Sequence, residues 1–307
     1  MQSEMKIIPE FLKEKLENQY KKEEILKIIE GYKAKRKVTF RVNTLKSNND
    51  EIKNILENKN IEYSKVDWNE NAFIIENLRE NEIQKLDIYK TGKIYLQSLS
   101  SMLPVIVLEP EEQTDILDMT AAPGGKTTQI AAMTNNKANI TACEMNVVRA
   151  EKLKYNIEKQ GASCVYIMRT DARYIDDFFS FDKILLDAPC SGSGTLNIEN
   201  LNVEKTFTEK LIKKSSLSQL TLLQKAVNIL KPGKEMVYST CSILQEENED
   251  ILNKILNNTK NLEIEPINIK NMEDLPILST KIKGCLCVAP TDLYEGFFIA
   301  KIKKKKK

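Results

Sequence analysis

A chain of 307 residues, 41% hydrophobic and 29% charged, has length for about two domains and enough apolar residues for a sizeable core. It holds no histidine, which removes Ser-His-Asp and Cys-His catalysis and most zinc sites, so no metal is expected and any base must be a carboxylate, lysine, tyrosine, thiol or water. No apolar run reaches the roughly 18 residues of a membrane span, MQSEMKIIPEFLKEKLENQ is too charged for a signal peptide, and six cysteines without a CxxC pair read as reduced thiols, so a cytoplasmic monomer is the default.

Residues 4–31 show helical periodicity through Ile7, Phe11, Leu12, Leu16, Ile25, Leu26, Ile28 and Ile29, with Gly31 as the expected stop. Net charge is only +2, but Lys33, Lys35, Arg36 and Lys37 cluster here, with Arg41 and Lys46 close behind. The cluster suits phosphate contacts as well as it suits a solvated helix end. KVTFRVNTL (37–45) alternates like a strand, Asn48 and Asn49 open a helix, and IEYSKVDW (61–68) and NAFIIEN (71–77) read as two more strands. Residues 1–92 therefore form a small α+β module.

From residue 93 to 307 strands and helices alternate. DILDMT (115–120) is a strand running into Gly124-Gly125 and a helix; ANITACEM (138–145) is a second strand. A helix over 147–161 ends at Gly161. Strands follow over 163–171 and 181–189, then a helix over 216–233 stopped by Pro232-Gly233, a fifth strand over 234–242 and a helix over 246–256. LEIEPI (262–267) and EGFFIAKI (295–302) close as strands, and Lys303 to Lys307 read as a frayed, solvated tail. This pattern predicts a doubly wound, Rossmann-like α/β domain that binds ligands beyond the carboxyl ends of its strands. Asp118, Glu144, Asp171, Asp187 and Cys241 fall at or just after such ends, on one rim.

TAAPGGKTT (120–128) nearly matches a P-loop, with Gly125-Lys126-Thr127 at its end but Thr120 in place of the first glycine. From this loop alone a nucleotide triphosphatase and a methyltransferase are equally open. Glu144, about 20 residues after the glycine pair, shifts the balance, because an acid there is placed to accept from ribose hydroxyls. S-adenosylmethionine has a ribose, an adenine and a carboxylate but no phosphate, so one glycine pair suffices. Asp171 could hold the adenine amino group.

Two neighbouring strand ends each present a thiol: Cys190 in DAPCSGSG and Cys241 in YSTCS. Both lie in polar, turn-rich loops, whereas Cys143 and Cys164 sit in or just before strands, as small core residues do. Carbon 5 of cytosine is a poor nucleophile. A thiolate added to carbon 6 makes carbon 5 enamine-like and able to take a methyl. Asp187, just before the Pro-Cys pair, is placed to protonate or hydrogen-bond N3. Chemistry alone leaves open which thiol attacks.

AAPGGKT, DAPCSGSGT and YSTCSILQEENE resemble the motifs of the Nop2/Sun family of RNA cytosine-C5 methyltransferases. KVTFRVNTLK, IYLQSLSSMLP and YEGFFIAKIKK resemble that family's N-terminal module, its approach to the first strand and its last strand, so the resemblance covers nearly the whole chain. It implies a class I methyltransferase domain behind an RNA-binding module, acting on tRNA or rRNA with S-adenosylmethionine. It implies that Thr120, Ala121, Ala122, Pro123, Gly124, Gly125 and Lys126 line the cofactor pocket, with Glu144, Asp171, Asp187 and more weakly Arg149 as further contacts. It implies that Cys241 is the nucleophile and that Cys190 assists elimination and product release. DNA cytosine methyltransferases resemble a pattern with the nucleophile in the Pro-Cys loop, so the Thr-Cys pair argues for RNA. Thr120 departs from the family's usual cysteine or alanine. The sequence leaves no room for a large RNA-binding domain after residue 300, which puts target choice on the N-terminal module and the catalytic face.

Overall fold

The computed structural model describes residues 8–198 and 203–306. It opens with α1 (Glu10–Gln19) and α2 (Lys22–Lys33). The periodic stretch expected as one helix is thus broken at Tyr20 and Lys21, both extended, and its first residues, Ile7 among them, lie outside the described residues. Helix α2 runs past Gly31, whose role is close packing: a Cβ there would stand 1.9 Å from the Pro290 carbonyl oxygen.

Next come β1 (Val38–Val42), α3 (Asn49–Asn58), β2 (Tyr63–Val66), β3 (Asn69–Ile75), the single turns α4 (Glu80–Ile83) and α5 (Asp87–Lys90), and β4 (Ile94–Leu96). Asn48 caps α3 by accepting from the Glu51 N–H. The four strands form an antiparallel sheet in the order β2-β3-β1-β4, which extends past residue 92. One face packs on α3 through Phe40, Phe73, Ile52 and Leu56.

The second unit comprises α6 (Leu99–Leu108), β5 (Asp115–Asp118), α7 (Gly125–Met133), β6 (Asn139–Cys143), α8 (Val147–Gln160), β7 (Val165–Met168), β8 (Phe181–Asp187), α9 (Val203–Thr206), α10 (Glu209–Ile229) and β9 (Leu230–Thr240). It ends with α11 (Glu249–Asn258), β10 (Leu262–Glu265), β11 (Ile277–Leu278), β12 (Leu286–Val288) and β13 (Phe297–Lys304). The parallel strands run β7-β6-β5-β8-β9, with antiparallel β13 and β12 beyond β9. The order reverses between β5 and β8, where doubly wound sheets bind ligands.

Alternate residues of the central strands feed opposite cores. Ile184, Leu186, Met236 and Tyr238 join one, and Leu185 and Val237 the other. Helices α1 and α2 pack into the first of these cores through Leu12, Leu16, Ile28 and Tyr32, so the chain's start braces the large sheet.

Three expectations are corrected. Helix α10 begins at Glu209, capped by Thr208, and ends at Ile229, while Pro232 and Gly233 lie within β9. Helix α6 arises where no element was expected, because it is apolar on nearly all sides and gives no periodic signal. Lys303, Lys304 and Lys305 do not belong to a frayed tail. Lys303 lies in β13 and pairs with Glu235 and Glu265, the Lys304 ammonium donates to carbonyls at the end of α10, and Lys305 pairs with Glu263. Lys307 lies outside the described residues. No helix among the described residues is long and apolar enough to cross a membrane.

Candidate active site

The rim above β5, β8 and β9 gathers Asp118, Thr120, Lys126, Asp187, Cys190 and Cys241. Asp187 and Ser239 are register partners on β8 and β9, which end at Asp187 and Thr240. The Cys190 and Cys241 sulfurs stand 3.1 Å apart, both as free thiols. Glycines set this distance. Gly194 lies against Gly296, where a Cβ would come within 1.9 Å of a carbonyl oxygen. The Gly194 N–H donates to the Cys241 carbonyl at 3.0 Å, and the Gly296 N–H donates to the Gly194 carbonyl at 2.8 Å. The N-terminal segment grips the same loop: the Tyr32 hydroxyl donates to the Ser193 carbonyl and the Arg36 guanidinium to that of Gly194.

Lys126 donates to Asp187 Oδ2 at 2.6 Å and to the Ser101 hydroxyl at 2.8 Å. Burial opposes its charge, but the carboxylates of Asp187 and Asp118 and the Cys241 sulfur hold the ammonium above its ordinary value. Ser239 donates to the other Asp187 oxygen at 2.8 Å, and the Thr120 hydroxyl donates to the Asp187 carbonyl. Asp118 is 1% exposed, accepts from the Thr127 hydroxyl at 2.7 Å, and is pushed up to about 6 by burial. The Cys190 thiol is pushed well up by its contact with Cys241, by burial and by the charge of Glu247.

The other rim acids extend the site along β6 and β7. Glu144 is buried, accepts from the Asn146 N–H at 2.8 Å, and faces Arg149 at 3.5 Å. Arg149 also donates to the Ala122 carbonyl, tying the 120–126 loop to the end of β6. Asp171 caps the turn after β7 and is bound by Arg173, which holds its carboxyl below the ordinary range. Gly124 takes a left-handed backbone (φ 108°) at the head of α7.

A cavity of about 1000 Å3 opens between this rim and the small sheet, lined among others by Lys35, Arg36, Lys37, Ala121, Ala122, Pro123, Gly125, Lys126, Asp187, Cys241 and Phe297. Gly124, Glu144, Arg149, Asp171 and Cys190 do not belong to that lining. Cys143 is a core thiol donating to the Thr170 carbonyl, and burial pushes it up to about 12.

Residues 105–303 match the family described as 16S rRNA methyltransferase RsmB/F, and residues 8–99 match the N-terminal domain of 16S rRNA methyltransferase RsmF. The chain belongs to the RsmB/F methyltransferase family. This agrees with the Nop2/Sun resemblance of its motifs. Ribosomal RNA small subunit methyltransferase F of Shewanella piezotolerans is 35% identical over 87% of this chain, which spans only 57% of that relative's length. The tRNA (cytosine(49)-C(5))-methyltransferase of Pyrococcus abyssi is 34% identical, with 87% of this chain and 88% of that protein covered. The crystal structure of NSun6 from Pyrococcus horikoshii with SFG superposes with a TM-score of 0.84 at 25% identity, over 97% of this chain and 99% of that one.

Membership of the RsmB/F family removes the P-loop alternative; Lys126, which would face phosphates there, is committed to Asp187 and Ser101. The basic cluster divides. Lys35, Arg36 and Lys37 line the cavity. Arg41, 3% exposed, instead donates to Gln97, Thr128 and the Gly125 carbonyl, locking the small sheet onto α7. Lys46 donates to the carbonyls of Thr91 and Lys159. Sequence reading missed Glu247, fully buried beneath the Cys190 turn. Its only signal was its place in the QEENE stretch after Cys241.

Proposed function

We propose that this protein is an S-adenosylmethionine-dependent RNA cytidine-C5 methyltransferase acting on tRNA or rRNA, with Cys241 as nucleophile. The observation that carries this is the pair of thiols 3.1 Å apart beside the Lys126–Asp187 ion pair. A thiol pair next to a carboxylate suits addition to a pyrimidine ring and its reversal.

The residues present fit the cofactor. The loop 120–126 brings the head of α7, with its free N–H groups, to the rim at Gly124. The buried Glu144 accepts from one backbone N–H, which leaves lone pairs for ribose hydroxyls. Arg149 stands 3.5 Å from it, Asp171 follows the neighbouring strand β7, and Asp187 with Lys126 lines the cavity together with Cys241. Bound there, S-adenosylmethionine supplies the sulfonium methyl that carbon 5 takes.

The chain's own groups do the rest. Cys241 adds as a thiolate to carbon 6, and the displaced electron pair is drawn toward N3, which takes a proton from the Lys126 ammonium by way of the Asp187 carboxylate. After carbon 5 is methylated, it loses its proton to solvent. The carbon 5–carbon 6 double bond re-forms and the Cys241 sulfur departs, with the adjacent Cys190 thiol hydrogen-bonding to it. Lys35, Arg36 and Lys37 lie where RNA backbone would enter the cavity, on the N-terminal module read as residues 1–92. The test is bisulfite sequencing of rRNA and tRNA from cells with and without the gene. A cytidine protected only when the gene is present supports the reading; identical profiles in both RNA classes contradict it.

A further inference from the structure

The two thiols share one rim and nearly touch, so their different roles need a physical cause. We infer that Glu247 supplies it: buried against the Cys190 turn, it keeps the proton on Cys190 and leaves Cys241 as the thiolate. Glu247 is thus a positioning residue, and this inference rests on reading the thiols as attacker and assistant.

Glu247 is 0% exposed, and no lysine or arginine pairs with it among the described residues. One carboxylate oxygen accepts from the Ser191 N–H at 2.7 Å and the other from the Ser191 hydroxyl at 2.5 Å. Burial pushes its carboxyl up, and these donors, with Ser242 and Gln219, work against that rise. Two accepting oxygens match an ionised carboxylate, because a protonated one would have to donate from one of them. Gln219 approaches the first oxygen at 3.5 Å and also donates to the Pro189 carbonyl, so the turn is held on both sides of Cys190. The Tyr238 hydroxyl donates to the Glu247 carbonyl at 2.5 Å. The charge is therefore fixed one residue from Cys190 in a dry environment, where it acts strongly.

The titratable groups facing Cys190 are Cys241, Glu247 and the Tyr238 hydroxyl, none cationic; the Gly192 backbone N–H works in the opposite direction, toward the thiolate. Cys241 meets Cys190 at 3.1 Å and lines the cavity together with Lys126 and Asp187. The Glu247 carboxylate beneath the Cys190 turn has no cation paired with it among the described residues, whereas the charges that share the cavity with Cys241 are the Lys126–Asp187 pair, so only Cys190 is held beside an unbalanced anion. The proton held on Cys190 is ready to hydrogen-bond to the Cys241 sulfur when it departs from carbon 6. Contact with Cys241, then burial, then the charge of Glu247 raise the Cys190 thiol, in line with the geometry.

The test reads thiol ionisation and needs neither RNA nor methylation, so it can fail separately from the proposed function. The full chain is alkylated with iodoacetamide across a pH series, and labelling is read by peptide mass spectrometry. In the wild type Cys241 should label before Cys190. In a Cys241→Ala background, Glu247→Gln should label Cys190 about tenfold faster near pH 8, the effect of a one-unit fall in its pKa. Ser191→Ala, which keeps the carboxylate, should change that rate by less than about twofold. An unchanged Cys190 rate in folded Glu247→Gln overturns the inference. So does a tenfold gain from Ser191→Ala, which would assign the effect to turn geometry. If Glu247→Gln does not fold, wild-type labelling order and Ser191→Ala decide, and Cys190 labelling before Cys241 overturns it.

Discussion

Lys126 and Asp187 join the head of α7 to the end of β8 through a 2.6 Å ion pair that lines the same cavity as Cys241. Both side chains are mostly withdrawn from solvent, at 12% and 27% exposure, so each would be costly alone. Lys126→Met should therefore destabilise the fold by about 1–3 kcal/mol, the usual penalty for leaving a buried partner unsatisfied. It should lower methyl transfer further than that loss explains. Urea unfolding and single-turnover methylation measure the two effects; unchanged stability would mean that the pair is not formed in solution.

Asp118 predicts a specific pH dependence. Its folded-state value of about 6 lies above the ordinary carboxylate range near 4, so the folded protein binds its proton more tightly than the unfolded chain does. The folded state takes up a proton in that window, and stability contributed by this group falls as pH rises from about 4 to 6. The full cost, about 3 kcal/mol for a two-unit shift, is present above that window. Asp118→Asn should remove the slope. Parallel denaturation curves for wild type and variant at pH 4.5 and pH 7 would refute the assignment.

Much of this site is legible in the sequence. Glycine pairs, strand ends and the periods of their flanking helices place Asp118, Glu144, Asp187 and Cys241 on one rim, because a doubly wound sheet collects its strand termini there. What stays hidden depends on distant segments. Arg41 reads as part of a basic run, and only the packing of β1 on α7 reveals it as buried. Glu247 reads as one acid among several until the turn after Cys190 folds onto it. Helix α6 escapes because burial on nearly all sides erases periodicity, and β11 and β12 are too short to stand out.

Gly194 has no space for a side chain, since a Cβ would meet the Gly296 carbonyl oxygen at 1.9 Å. Gly194→Ala should push the Cys190 loop away from the start of β13, costing about 1–3 kcal/mol as other overpacked sites do. Adduct formation should be lost as the sulfurs separate. A variant with wild-type melting behaviour and full activity would show that the loop yields without consequence.

Arg36 should matter most among the basic residues lining the cavity. Its guanidinium reaches the Gly194 carbonyl at only 3.4 Å and its Nε is buried without a partner, whereas Lys37 is already paired with Glu76. Replacing Lys35 and Arg36 by glutamine should lower the salt dependence of RNA binding by about two units in the slope of log K against log salt. An unchanged slope would return these residues to ordinary solvated surface.

The covalent route through Cys241 is tested most directly by denaturing electrophoresis of the cysteine variants incubated with substrate RNA and S-adenosylmethionine. The account predicts that Cys190→Ala attacks, methylates and then stalls, giving a slow protein–RNA band that ribonuclease removes. Cys241→Ala and the double variant should give no band and no methylation. A band from Cys241→Ala in place of Cys190→Ala would reverse the two roles, and methylation by both single variants without any adduct would contradict covalent catalysis itself.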